Sequence, residues 1–105
     1  MTKTYLDVCA IDDLPLGERL FIQLGEVPVV IMNVNGEYYA IEDVCTHDDG
    51  PLGEGEIEDD EIICPRHGAR FNLRTGEVLT LPAVIGVNTY PIKIEGDRIL
   101  IGVEE

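Results

Sequence analysis

The sequence predicts an all-β domain, and three observations carry that reading. Apolar residues gather in short runs rich in Val, Ile and Tyr, such as Val29-Val30-Ile31-Met32 and Tyr38-Tyr39-Ala40-Ile41. Turn-forming pairs separate these runs, above all Asn35-Gly36. No window sustains the 3.6-residue period of an amphipathic helix. With 105 residues and 45% apolar content, the chain is long enough for one domain with a modest core.

Taken in order, residues 3–9 form the first predicted strand, and Asp12-Asp13-Leu14-Pro15-Leu16-Gly17 a loop. Strands follow over 18–24 and 28–34. Asn35-Gly36 then makes a type I′ turn into a strand over 37–42, because both central positions of that turn need positive φ. Shorter strands are expected over 61–64 and 69–72, with Thr75-Gly76 closing a turn behind them. The C-terminal part reads as strands 89–94 and 98–103, joined by a second hairpin candidate at Gly96-Asp97. There is no internal repeat and no low-complexity linker.

Between the two sets of strands lies a paired motif. Both histidines of the chain and two of its three cysteines occur in Cys45-Thr46-His47 and Cys64-Pro65-Arg66-His67, the pattern C-x-H-x16-C-x-x-H. Two thiolates and two imidazoles from two short loops make a metal site. As a plain alternative, the cysteines are small buried hydrophobes and the histidines ordinary loop residues. Both pairs, however, sit in turn-forming sequence, Asp48-Asp49-Gly50-Pro51 and Pro65-Arg66-His67-Gly68. Structural zinc is a second reading, but zinc sites gather like ligands in C-x2–4-C and H-x3–5-H pairs. A [2Fe–2S] centre held by two cysteines and two histidines is the third. It suits a mixed pair per loop, since each loop can then reach both irons.

On this motif the chain resembles the Rieske ferredoxin family, small electron carriers of bacterial oxygenase systems, over essentially its whole length. The resemblance implies that Cys45 and Cys64 bind one iron, and His47 and His67 the outer one. It also implies a Rieske iron–sulfur fold: an antiparallel sandwich- or barrel-like base from residues about 1–43 and 83–105, with about 44–82 inserted as a small cluster-binding subdomain. The histidine edge is then exposed at the tip, and Leu81-Pro82-Ala83-Val84 corresponds to a loop beside the cluster. Gly50, Gly53 and Gly68 are expected to let N–H groups approach the sulfurs. Pro51 and Pro65 stiffen the loops, and Leu52 shields the cluster.

Two thiolates rather than four leave the oxidised cluster neutral, which raises the potential over four-cysteine ferredoxins. High-potential relatives carry an extra cysteine in each loop and a serine hydroxyl near a sulfide. By resemblance those positions are Gly50, Arg66 and Ala69 here, so fewer donors stabilise the reduced state. The expected potential is low, near about −150 mV. The free ring nitrogens should couple electron uptake to protonation at alkaline pH.

The formal balance of 7 basic against 21 acidic residues gives −14, which argues against nucleic-acid binding. No apolar leader and no membrane-length apolar stretch is evident, so no membrane association is expected. Cys9, in an apolar run, reads as core, and a chain without disulfides suits a reducing cytoplasm. Six of the eight residues 54–61 are acidic. They read as a solvated face that keeps the chain a soluble monomer, or as a field that steers basic partners. Arg66, Arg70 and Arg74 make that face mixed in sign.

These features predict a one-electron carrier rather than an enzyme: both histidines are used, and no dinucleotide fingerprint is present. By resemblance, a flavoprotein ferredoxin reductase is the donor and a terminal oxygenase, often an aromatic-ring dioxygenase, the acceptor. The alternative is a small subunit of a reductase complex, as in assimilatory nitrite reductases.

Overall fold

The computed structural model describes residues 3–44, 51–66, 68–80 and 86–104. These residues form ten strands: β1 (Lys3–Ala10), β2 (Arg19–Leu24), β3 (Val27–Val34), β4 (Glu37–Glu42), β5 (Ile57–Glu58), β6 (Glu61–Ile63), β7 (Arg70–Asn72), β8 (Thr89–Tyr90), β9 (Ile92–Glu95) and β10 (Arg98–Glu104). A 3-10 turn, Ile11–Asp13, follows β1. All pairings are antiparallel, and the sheets run β1-β10-β9, β2-β3-β4-β8 and β5-β6-β7.

The four-stranded sheet is the middle layer, and β3 shows why. Successive side chains of a strand point to opposite faces. Val29 and Ile31 therefore join Leu14, Ala40, Ile99 and Ile101 in a core shared with the β1-β10-β9 sheet. Val30 and Met32 join Ile41, Leu52, Ile62, Cys64, Phe71 and Leu73 in a second core shared with the β5-β6-β7 sheet. A strand covered on both faces needs no polar alternation, which explains the unbroken apolar run Val29-Val30-Ile31-Met32.

The turn chemistry matches the predicted hairpins. Asn35 and Gly36 have φ of 55° and 92°, as a type I′ turn demands. The buried Asn33 reinforces that corner: its Oδ1 accepts from the Gly36 N–H (3.0 Å) and its Nδ2 donates to the Leu14 carbonyl (2.9 Å). Gly96, with φ of 60°, turns β9 into β10. Two further hairpins went unforeseen, at Gly25-Glu26 and at Asp59-Asp60. Asp59 adopts φ of 56°, a conformation that Asp tolerates better than most residues.

The structure corrects one sequence expectation and adds two features to the rest. The strand expected over 89–94 is two strands, because Pro91 cannot donate to a ladder. β8 pairs with β4 in the middle sheet, and β9 pairs with β10 in the outer one. The Gly102 N–H still reaches the Pro91 carbonyl (2.9 Å), so the chain crosses between sheets without losing that acceptor. The loop over 12–17 begins inside the 3-10 turn and buries Leu14. β5 was missed, because two residues among acids give no apolar run.

Cys9 is half-buried against the outer core, beside a bulge in the β1–β10 ladder. Burial, with Asp13 and Asp7 adding to it, pushes its thiol pKa up, so Cys9 is a poor nucleophile at neutral pH. Nearby, Arg98 forks onto the Asp7 carboxylate (2.6–3.1 Å). That pair holds the Asp7 carboxyl below its usual range. Its small surface contribution is therefore present above the ordinary carboxylate pKa and lost as pH falls through the depressed one.

Candidate metal centre

Cys64 follows β6 directly and is buried, with 1% of its surface exposed. Its loop is a tight hairpin tip. The Cys64 N–H donates to the Ala69 carbonyl (2.7 Å), continuing the β6–β7 ladder by one step, and the Gly68 N–H donates to the Cys64 carbonyl (2.9 Å). Gly68 takes φ of 76°, which a side chain would resist. Pro65, Arg66 and Gly68 are exposed, so the tip reaches solvent while the thiol at its base does not.

The segment after the first loop lies against the middle sheet. Asp43, just beyond β4, accepts from the Leu52 and Gly53 N–H groups through one carboxylate oxygen (3.0 and 2.6 Å). Arg19 of β2 donates to the carbonyls of Gly53 and Gly55, the latter at 2.7 Å. Leu52 is fully buried in the same core as Cys64. Neither Gly53 nor Gly55 has room for a side chain. A Cβ at Gly53 would lie 2.8–2.9 Å from Phe21, Asp43 and Val30, and one at Gly55 only 1.9 Å from the Ile63 carbonyl oxygen. Gly55→Ala is thus expected to destabilise the fold by about 1–3 kcal/mol through overpacking, and a thermal melt of the variant measures it.

A second pair of backbone contacts fixes the chain beyond β7. Gly76, with φ of 77°, accepts from the Val87 N–H (2.8 Å), and a Cβ on Gly76 would sit 2.0 Å from the Val87 oxygen. Arg70 bonds Glu58 (2.9 Å) and Glu61 (3.3 Å). Arg74 reaches Glu37 of β4 (3.0 Å) and Asp60 (3.6 Å), and lies 5.4 Å from the Tyr39 ring centroid. The basic cluster read from the sequence is therefore largely spent, in its Arg70 and Arg74 members, on acids of β4, β5, β6 and the β5–β6 turn.

Of the four residues of the paired motif, Cys64 is placed as described. Cys45, His47 and His67 lie outside the described residues, as do Gly50 and the stretch 81–85 with Pro82. The N–H groups of Gly53 and Gly68 themselves are satisfied within the protein, by Asp43 and by the Cys64 carbonyl. Asp43 and Arg19 were not singled out at all. A carboxylate two residues before the first ligand pair was the available signal.

The donor chemistry fits an iron–sulfur cluster. Cys64 is a free thiol at the buried base of a rigid tip, and the motif supplies a second thiolate and two imidazoles. A family model for the Rieske [2Fe-2S] domain matches residues 4–91. The chain belongs to the Rieske [2Fe–2S] family. This Rieske domain is 41% identical to the ferredoxin component of biphenyl 2,3-dioxygenase from Rhodococcus jostii (strain RHA1), over 92% of this chain and 91% of that one. It is 44% identical to the 3-phenylpropionate/cinnamic acid dioxygenase ferredoxin subunit of Escherichia coli (strain K12), over 100% and 97% of the two chains.

Its fold superposes on the ferredoxin of Sphingomonas yanoikuyae B1 with a TM-score of 0.84 at 28% identity, covering 96% of this chain and 100% of that one. A small subunit of an NADH-dependent nitrite reductase from Mycobacterium tuberculosis shares the fold (TM-score 0.87, 100% and 99% covered) at 21% identity. The cofactor of this Rieske domain is a [2Fe–2S] cluster, and as a ferredoxin it is an electron-transfer protein, not an enzyme. No helix among the described residues is long and apolar enough to cross a membrane.

Proposed function

We propose that this Rieske ferredoxin carries single electrons from an NADH-dependent flavoprotein reductase to a terminal Rieske oxygenase acting on aromatic compounds, as a cytoplasmic monomer. The full-length identity of 41–44% to ferredoxin components of two aromatic-acid or biphenyl dioxygenases carries the reading. A 31%-identical chain in a complex of oxygenase and ferredoxin from carbazole 1,9a-dioxygenase, matched with a TM-score of 0.83 over 92% of this chain and 91% of that one, supports an oxygenase partner. The nitrite reductase subunit shares only the fold at its identity, so the carrier reading is preferred.

In this reading Cys45 and Cys64 bind one iron, His47 and His67 the other, and residues about 44–82 form the cluster-binding subdomain. The cluster supplies a one-electron redox couple. The protein's own residues do the rest: buried Leu52 and Cys64 keep water from one side. The exposed residues flanking His67 bring the other side near a partner. A low potential is supported by Gly50, Arg66 and Ala69, which bring neither a disulfide nor a hydroxyl to the loops. An EPR-monitored redox titration tests this. A rhombic Rieske signal titrating near about −150 mV is expected, and a clearly positive midpoint would overturn the low-potential assignment.

Charge sets the encounter. Arg70 and Arg74 neutralise part of the acidic run, but Glu54, Glu56 and Asp59 stay exposed on a chain of net charge −14. The second-order rate of reduction by the reductase should fall between about 0.01 and 0.15 M ionic strength, as the Debye length shrinks from about 30 to 8 Å. A stopped-flow rate independent of salt would remove the steering role.

A further inference from the structure

We infer that Asp43 and Arg19 form a clasp that positions the first ligand loop on the cluster and thereby sets its redox properties. The inference rests on the assignment of Cys45 and His47 as ligands. Three observations carry it. The Asp43 carboxylate lies two residues before Cys45, yet it accepts from the N–H groups of Leu52 and Gly53, just beyond the loop. One side chain thus closes the loop on itself. Arg19 takes the opposite polarity of the same segment, donating to the Gly53 and Gly55 carbonyls. Finally, a Cβ at Gly53 would collide with Phe21, Asp43 and Val30, so the segment there lies against the middle sheet beside both clasp residues, and one at Gly55 would meet the Ile63 carbonyl of β6.

The backbone of Asp43 is itself fixed, its N–H donating to the Pro28 carbonyl (2.8 Å). The clasp therefore ties both sides of the first ligand loop to β3 and β4. Asp43 and Arg19 are positioning residues, acting through the loop rather than on the cluster.

Asp43→Ala, Asp43→Asn and Arg19→Met, each compared with the intact holoprotein, test this. Asn keeps an acceptor oxygen in place of the carboxylate and removes only the charge, so the difference between the two Asp43 variants isolates the hydrogen bonds. Relative to Asp43→Asn, Asp43→Ala should shift the one-electron reduction equilibrium by at least tenfold, equivalent to about 59 mV. It should also broaden the rhombic EPR lines and lose cluster to a chelator at least tenfold faster. Arg19→Met should broaden the lines in the same way, and it keeps the test open if Asp43→Ala fails to fold.

Equal potentials, line shapes and cluster lifetimes in Asp43→Ala and Asp43→Asn would overturn the clasp, whatever happens to melting temperature. So would an unbroadened spectrum in Arg19→Met. Failure of the ligand assignment looks different: a Rieske spectrum that survives His47→Ala in an otherwise native protein.

Discussion

Replacing His47 or His67 with alanine should abolish the rhombic Rieske EPR signal and leave protein without the native cluster, whereas Cys9→Ala should leave the spectrum intact. The size of the effect follows from position in the coordination shell. Removing residues that merely support a metal ligand already costs about 10–100-fold in metal affinity. On the proposed ligand set, either replacement would leave an iron without one of its four bonds, so the loss should be essentially complete. Cys64→Ala should behave alike and adds a packing effect, because the thiol occupies a fully buried place among Leu52, Ile62, Ala69 and Phe71. Cys9, on the far side of the middle sheet against Ile99 and Ile101, shares no core with these residues. Visible absorption and EPR on purified variants decide the matter. A native spectrum in either histidine variant would refute the ligand set.

Phe71→Ala should be the most damaging substitution among the described core residues. Phe71 is fully buried, pairs with Ile62 across β6–β7, and bridges Val78 beyond the ladder. It joins the small third sheet to Val30, Met32 and Ile41 of the middle layer. Truncating a buried Phe costs about 3–5 kcal/mol, against a total stability of about 5–15 kcal/mol for a domain. Because the third sheet has only short strands, that loss should also free the Cys64 tip and speed cluster release. Denaturant unfolding of the variant with its cluster bound measures both. A change below about 1 kcal/mol would mean that the third sheet does not depend on this core.

Much of the architecture was legible because its signals are local. Asn35-Gly36 needs two positive φ values, and the strands on either side appeared where their β-branched residues placed them. The paired motif was legible for the same reason: ligand spacing within each loop is a property of neighbouring residues. The family comparison agrees with what the motif implied. Less visible were elements whose identity depends on what covers them. β5 owes its existence to pairing with β6 across the Asp59-Asp60 turn, not to its own two residues. The break at Pro91 could be suspected from the missing N–H, but not that the chain there changes sheets.

The strand-rich class, the principal turns, the four candidate donors and the family were thus readable from the order of residues alone. These rest on short-range chemistry: backbone preference, period and spacing. Packing in three dimensions was needed to bury β3 on both faces and to commit Arg70 and Arg74 to nearby acids. It was needed, too, for Asp43 and Arg19 to hold the segment beyond the first ligand loop. These contacts join residues nine or more positions apart, and their partners are chosen by strand pairing and sheet stacking rather than by the residues next to them.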